Sequence, residues 1–412
     1  MKVAVVGSGG REHALAACLA RTAEVVVTPG NPGIPGSTPR PVHELAVDLV
    51  VVGPETPLVD GHADRLRAND TLVFGPGADG ARLEGSKAWM KDLLVAAGVP
   101  TARHGTFDDA AAAEAFLDTL GDLFVIKTDG LAAGKGVLVT ASRAEASDAV
   151  RDYLSGVRFG DAGRRVVIEE GLTGPEVSLL VVCDGTRLVP LAPAQDYKRV
   201  GTADTGPNTG GMGAYSPVPA VTTEMVDQLL ATAVGPTLHE LQRRGIDYRG
   251  VLYAGLMLTP AGPKVIEYNA RFGDPETQVV LPRFAGDLAE LLRQAAAGAL
   301  RDVARFVDDA AVTVVCAAEG YPGPLRLGDV IDGIDAARAV PGVQVFAAGV
   351  GAGPDGALVT AGGRVLDVTA VAPTLDEARS RAYEAVRRIS WPGMHTRADI
   401  ALFGAPIVEE AR

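Results

Sequence analysis

Five prolines, at positions 29, 32, 35, 39 and 41, crowd the stretch between Thr28 and Asp48. They separate two short apolar runs, residues 25–28 and 49–52, that read as buried strands. Proline fixes φ and has no N–H to donate, so the stretch leaves little room for the helix of a βαβ crossover. Residues 2–6 (KVAVV) read as another buried strand, "GSGGREHALAACLA" as a turn running into a helix, and 71–74 as a further strand. The chain therefore begins with a small parallel, nucleotide-fold-like domain over residues 1–82.

Beyond it the pattern changes. Residues 85–97 form an amphipathic helix stopped by "GVP", and short strands alternate with helices (108–118, 143–155) up to about residue 171 as an α+β unit. Residues 177–195 are strand-rich, and 222–244 read as one long helix. Strands at 250–259 and 263–269 frame the turn "TPAGP". A helix over 286–299 precedes a last hundred residues of β-hairpins with one helix, 375–389. A chain of 412 residues exceeds one hydrophobic core and suggests two to four domains.

Charge limits the partners. The net charge is −13, which argues against wrapping a nucleic acid or an anionic membrane, so any anionic ligand needs a local cluster of cations and amide N–H groups. No apolar run approaches the roughly 18 residues of a membrane-spanning helix, and the N-terminus lacks the long apolar segment of a signal peptide. Cys18, Cys183 and Cys316 give neither a disulfide framework nor a metal-ligand spacing. The expectation is a soluble cytoplasmic protein with reduced, buried thiols.

Four segments carry candidate chemistry. In "GSGGREH" (7–13), Gly7 and Gly9 fit G-x-G, but Glu12 stands where a dinucleotide fingerprint has its third glycine. Such a turn still offers amide N–H groups to a phosphate, which Arg11 and His13 favour, or is simply a tight turn without a ligand. In "KTDGLAAGKGV" (127–137), Lys127 closes an apolar strand while Gly130, Gly134 and Gly136 let the backbone fold over an anion and Lys135 adds a mobile charge. Only 7 of the 38 basic residues are Lys, so one before the glycine loop and one inside it point to a triphosphate site, with a solvent-exposed hairpin as the plainer alternative. Glu169, Glu170 and Glu176 fall at a linker where they could meet a nucleoside, or be merely solvated.

The sharpest segment is "KVIEYNARFGDPETQ" (264–278). On a strand Glu267, Asn269 and Arg271 share one side, with Ile266 and Tyr268 directed into the core. A carboxylate and an amide oxygen suit Mg²⁺ bridging phosphates, and Arg271 suits charge on a transferring phosphoryl group. Asp274 and Glu276 follow in a turn and could hold an ammonium group. A surface Arg–Glu pair is the plainer alternative. The glycine-rich stretch 195–217, without periodicity, offers Lys198, Arg199 and "NTGGMG" as a substrate cradle, or is a mobile surface loop.

Together, "GSGGREHAL" (7–15), "VGPETPLV" (52–59), "LEGSKAWMK" (83–91), "KTDGLAAGKGV", "DTGPNTGGMGAYSP" (204–217), "YAGLM" (253–257) and "IEYNARFGDPETQ" (266–278) resemble the phosphoribosylamine–glycine ligases, also called glycinamide ribonucleotide synthetases. The resemblance runs nearly end to end. It implies an α/β and α+β architecture: an ATP-grasp fold with an N-terminal Rossmann-like domain (1–82) and a C-terminal β-rich domain (304–412). The ATP-grasp core would be 83–100 plus 173–303, and the lid 101–172.

It further implies an ATP-dependent ligase of purine synthesis joining glycine to 5-phosphoribosylamine through a glycyl phosphate. For ATP the implied residues are Lys87, Lys127, Gly130, Gly134, Lys135, Gly136, Glu169, Glu170, Leu172 and Glu176. Glu267 and Asn269 would hold Mg²⁺ or Mn²⁺, with Arg271, Lys127 and Lys135 at the reacting phosphate. Substrate contacts would come from Gly9, Gly10, Arg11, Glu12, Pro54, Glu55, Asp196, Lys198, Asn208, Thr209, Gly210, Gly211, Met212, Gly213, Arg271, Asp274 and Glu276. Small-molecule substrates, a monomer and no nucleic-acid or membrane partner complete the expectation.

Two departures stand out. Residues 29–47 are shorter than the family usually has, lacking much of a strand and helix, and "HTRADIA" (395–401) replaces a pattern more often ending Asp-Ile-Gly. The competing readings are a biotin-carboxylase-like ligase, a nicotinamide-dependent dehydrogenase and a nucleotide-binding regulator without turnover. The missing third glycine, and the absence of an acid closing the 25–28 strand, count against the dehydrogenase.

Overall fold

The computed structural model describes residues 1–132 and 136–402. Its N-terminal sheet is wholly parallel, with Glu24–Pro29, Lys2–Gly7, Leu49–Val52 and Val73–Phe74 side by side in that order. The proline-rich crossover contains only a 3₁₀ turn, Val42–Glu44, as its prolines dictate. Val42 is nevertheless buried and packs with Leu45 and Val47 against Val50 and Val52, doing the covering that a crossover helix ordinarily does. The Asn31 amide donates to Ser8 O at 2.8 Å and Ala348 O at 2.9 Å, tying this loop to the C-terminal part of the chain.

The central sheet is antiparallel, in the order Leu188–Pro190, Glu176–Asp184, Arg249–Thr259, Gly262–Asn269. One face is covered by the helix Lys87–Ala96, capped by the Ser86 hydroxyl accepting from Trp89 N. Its Met90, Leu93 and Leu94 pack with Val181, Leu252 and Tyr268. Each such buried side chain contributes roughly 1.5–3 kcal/mol. The expected helix 222–244 is present, but a π turn, Leu230–Val234, separates Thr223–Leu229 from Gly235–Arg243. Pro236 has no N–H for the preceding turn, so the ladder loses its regular step there.

The segment 101–172, expected from the sequence to be a lid, is a smaller unit with its own core. Its antiparallel strands run His104–Phe107, Val166–Glu170, Phe124–Thr128, Val137–Thr140, under the helices Ala110–Leu117 and Arg143–Leu154. Ile126, Ile168, Leu117, Val150 and Tyr153 close that core.

The last sheet has five strands, Gln195–Asp196, Gly213–Ser216, Ala310–Ala317, Arg364–Ala372 and Val343–Ala347, all antiparallel. Residues 195–217 are therefore not structureless: two of their segments join this sheet, and a third and fourth, Arg199–Gly201 and Thr205–Asn208, form a hairpin. Besides the helix Leu375–Val386, this region holds a short helix, Ile334–Arg338, that the sequence pattern did not announce. Cys18, Cys183 and Cys316 are free and buried, and no helix among the described residues is long and apolar enough to cross a membrane.

Candidate active site

A cleft of about 680 Å³ opens where the N-terminal sheet, the lid, the central sheet and the C-terminal sheet meet. Its floor is the strand Gly262–Asn269. The register against Arg249–Thr259 slips between Gly255 and Leu256, so Val265 faces Leu256 while Glu267 faces Gly255. Ile266 is the extra residue of this bulge. It therefore lines the cleft, contrary to the strict alternation that would place it in the core; Val265 and Tyr268 are the buried pair. The bulge still leaves Glu267 and Asn269 facing the cleft, with Arg271 just beyond the strand.

No hydrogen bond or ion pair from another described residue reaches the Glu267 carboxylate. Burial alone would raise its pKa, but the field of Lys127, Lys198, Lys87 and Arg271 outweighs that and holds it ionised, below its ordinary value. Arg271 is fixed, donating to Glu84 Oε1 at 2.8 Å, Glu55 Oε2 at 3.3 Å and Asn269 Oδ1 at 3.3 Å. Burial disfavours its charge, yet Glu84 and Glu55 raise its pKa and keep the guanidinium cationic.

An ionised carboxylate without a partner among the described residues and a neighbouring amide oxygen form a hard donor pair. Among the described residues no group of three or more His, Cys, Asp or Glu could hold a metal ion. The pair thus fits a cation that takes its remaining ligands from phosphate oxygens and water, as Mg²⁺ commonly does.

The lid supplies the opposite wall. Lys127 Nζ lies 2.6 Å from Glu169 Oε1 and 3.4 Å from the carbonyl of Ile266, so it touches the floor strand. Lys87 Nζ donates to Gly130 O at 3.0 Å, and Asp129 Oδ1 accepts from Ser86 Oγ and Ala88 N, fixing the start of the glycine loop on the capped helix. Leu131, Ala132 and Gly136 line the cleft; Gly130 packs instead against Ala162. Gly134 and Lys135 lie outside the described residues.

The linker acids divide. Glu169 is not solvated but buried between Lys127 and Lys91. Glu170 pairs with Lys264 at 2.8 Å at the edge of the cleft, beside Leu172. Glu176 and Asp196 both contact Lys198 at 2.9 Å. Burial would lower the Lys198 pKa, but Asp196 and Glu176 raise it, while burial pushes Asp196 up to about 6.

Asp274 is held by Arg364 at 3.0 Å and by Gln278, and Glu276 accepts from the hydroxyls of Tyr253 and Ser178. Arg11, Pro54, Glu55, Asn208, Thr209 and Gly210 also reach the cleft.

The structure does not bring Gly9, Gly10, Glu12, Gly211, Met212 and Gly213 to the cleft wall. The carboxylate of Glu12 folds back to accept from Gly9 N at 2.6 Å and pairs with Arg11. Gly10 abuts Asp367, whose oxygen would lie 1.8 Å from any added Cβ. His13 gives no positive charge: its Nδ1 accepts from Ala347 N, and burial, with Arg338, lowers its pKa to about 4. Met212 is fully buried, Gly213 sits in the five-stranded sheet, and Gly211 turns at φ +114° against Pro275.

Sequence reasoning missed Lys91, Glu84, Ser178, Tyr253 and Arg364. Lys91 had a signal, lying one helical turn after Lys87 in a chain poor in lysine. Ser178 and Tyr253 sit in apolar strands and had none.

Three phosphoribosylglycinamide synthetase domain models match the chain in succession: the N domain over 1–84, the ATP-grasp (A) domain over 85–277 and the C domain over 311–402. The chain is 49% identical over 418 residues to the phosphoribosylamine–glycine ligase of Mesorhizobium japonicum, covering 97% of both chains. It is similar to the crystal structure of the Thermotoga maritima phosphoribosylamine–glycine ligase, at 34% identity and TM-score 0.83, covering 97% of this chain and 100% of that one. The biotin carboxylase domain of a Hydrogenobacter thermophilus 2-oxoglutarate carboxylase, solved with MgADP and bicarbonate, shares the fold alone, at 18% identity and TM-score 0.74 over 96% of this chain and 91% of that one.

Proposed function

The chain belongs to the phosphoribosylglycinamide synthetase family, and from that premise we propose how its cleft performs the family's reaction. The protein is an ATP-dependent phosphoribosylamine–glycine ligase of purine synthesis, making glycinamide ribonucleotide, ADP and phosphate through a glycyl phosphate.

The observation that carries the assignment of residues is one juxtaposition: Lys127, on the lid, reaches within 3.4 Å of the floor strand that presents Glu267, Asn269 and Arg271 to the same cavity. In our reading Lys87 and Lys127 take the ATP phosphates, and Leu172, Glu170 and Glu176 border the nucleoside. Glu267 and Asn269 would hold Mg²⁺ or Mn²⁺, which would offset the charge of the triphosphate.

Glycine's carboxylate attacks the γ-phosphate, whose bond to the β-phosphate oxygen breaks to release ADP, so no side-chain nucleophile is needed and the site works by positioning and fixed charge. Arg271, clamped by Glu84 and Glu55, faces the charge that develops. The amine of phosphoribosylamine then attacks the acyl carbon and phosphate departs, while the lid keeps water from the intermediate. Glu276, Asp274, Asp196 and Lys198 are the polar groups offered to glycine and phosphoribosylamine, with Asn208, Thr209 and Gly210 at the rim. Three buried free thiols fit the cytoplasm.

The test supplies ATP, magnesium, glycine and fresh phosphoribosylamine, omitting each in turn. ADP should appear only with the complete mixture. ADP release that requires bicarbonate and ignores glycine would overturn the reading.

A further inference from the structure

Behind the cleft lies a buried chain of charges that the mechanism above leaves unused. Lys91 is completely buried, and its ammonium donates to Glu169 Oε2 and to Thr101 Oγ1, both at 2.7 Å. The other Glu169 oxygen meets Lys127 at 2.6 Å, and Thr101 passes the contact on to the carbonyl of Val265 at 2.6 Å. Lys91 belongs to the core helix, Glu169 and Lys127 to adjacent lid strands, and Val265 to the bulge just before Glu267.

A carboxylate buried against a single lysine neutralises it. Lys127 with Glu169 alone would present no net charge to an incoming anion, and a neutral pair makes a poor triphosphate site. Lys91 changes the sum. Two ammoniums around one carboxylate leave one positive charge, and it faces the cleft, because Lys127 and Glu169 both line it while Lys91, with no exposed surface, stands behind them.

Resting on the reading of Lys127 as a phosphate ligand, we propose that Lys91 is a positioning residue for ATP, neutralising Glu169 so that the charge of Lys127 is left for the triphosphate. Burial lowers the Lys91 pKa to about 8, with Glu169 opposing the drop, so the group remains charged at neutral pH. Burial would raise the Glu169 pKa, but Lys127 and Lys91 hold it below its ordinary value. The same contacts pin the lid strand to the bulge, keeping Lys127 and Glu267 on facing walls.

The test is equilibrium binding of ATP with magnesium, by calorimetry, to the full-length protein and four variants, with circular dichroism as the check of folding. Lys91→Met should weaken binding tenfold or more, because it leaves Glu169 to cancel Lys127. The double variant Lys91→Met/Glu169→Gln restores the net charge and should return to within threefold of the parent. A packing role alone would give no such recovery. Parent-like affinity in Lys91→Met, or a double variant no better than Lys91→Met, overturns the proposal.

Should Lys91→Met not fold, Lys91→Gln takes its place, since it keeps a donor for Glu169 and Thr101 but not the charge. The same tenfold loss is expected of it, and parent-like affinity overturns the proposal. Lys127→Met tests the premise separately. Undiminished binding there removes the phosphate assignment itself, whichever way the Lys91 variants behave.

Discussion

Glu267 differs from the neighbouring acids in having no hydrogen-bond or ion-pair partner among the described residues, and that difference sets the expectation for its removal. Glu267→Ala should lower kcat by at least about a thousandfold, in line with losing a group that acts on transition-state charge, while the melting temperature stays within a few degrees. Full turnover in that variant would refute the metal assignment. Arg271→Lys keeps the charge but loses the fork that spans Glu84, Glu55 and Asn269, so kcat should fall about a hundredfold with little change in the KM for ATP. His13 gives a pH effect. Its folded pKa is about 4 against an ordinary 6.5, so the unfolded chain takes up the proton first and stability falls as pH drops from 6.5 to 4. The loss from this residue is on the order of 3 kcal/mol. His13→Gln, which keeps an acceptor for Ala347 N, should flatten that part of the stability–pH curve measured by denaturant unfolding. An unchanged acid limb would show that His13 already titrates normally in the fold.

Among the elements, those with a regular period were legible and those defined by pairing were not. The amphipathic helix Lys87–Ala96 could be read because burial imposes a repeat on it, and the strand Gly262–Asn269 because Val265, Ile266 and Tyr268 follow the turn "TPAGP". The bulge at Ile266 could not, since a slipped register is a property of two strands and leaves no mark on one. Nor could the short pairings within 195–217, whose strands of two to four residues are too brief to show alternation. The hairpin Arg199–Gly201/Thr205–Asn208 is held from outside itself, which also hid it. Arg397, 1% exposed, reaches Asp204 and Asp399 at 2.7 Å, donates to Arg199 O and stacks on Tyr197. So "HTRADIA" anchors a hairpin that leads to Asn208 and Thr209 at the rim of the cleft. Arg397→Met should destabilise the protein by about 2–4 kcal/mol, below the full value for a wholly buried pair because Asp204 is exposed. It should also raise the KM for glycine or phosphoribosylamine more than that for ATP. Steady-state kinetics with each substrate varied in turn checks this, and equal rises would place the defect elsewhere.

At the scale of the whole molecule, the cleft exists only because separate sheets converge: Glu55 comes from the N-terminal part, Lys127 from the lid, Glu267 from the central sheet and Arg364 from the C-terminal sheet. The glycine and lysine motifs announced the ligand class, but the convergence was visible only through resemblance, because contacts across hundreds of residues leave no local pattern. The same convergence underlies the chemistry claimed for the protein, in which glycine's own carboxylate is the nucleophile toward ATP. Glycine carrying ¹⁸O in its carboxylate tests that step directly. One labelled oxygen should leave glycine with each turnover and appear in the released inorganic phosphate, analysed by mass spectrometry. Phosphate free of label, formed at the rate of glycinamide ribonucleotide, would contradict the account.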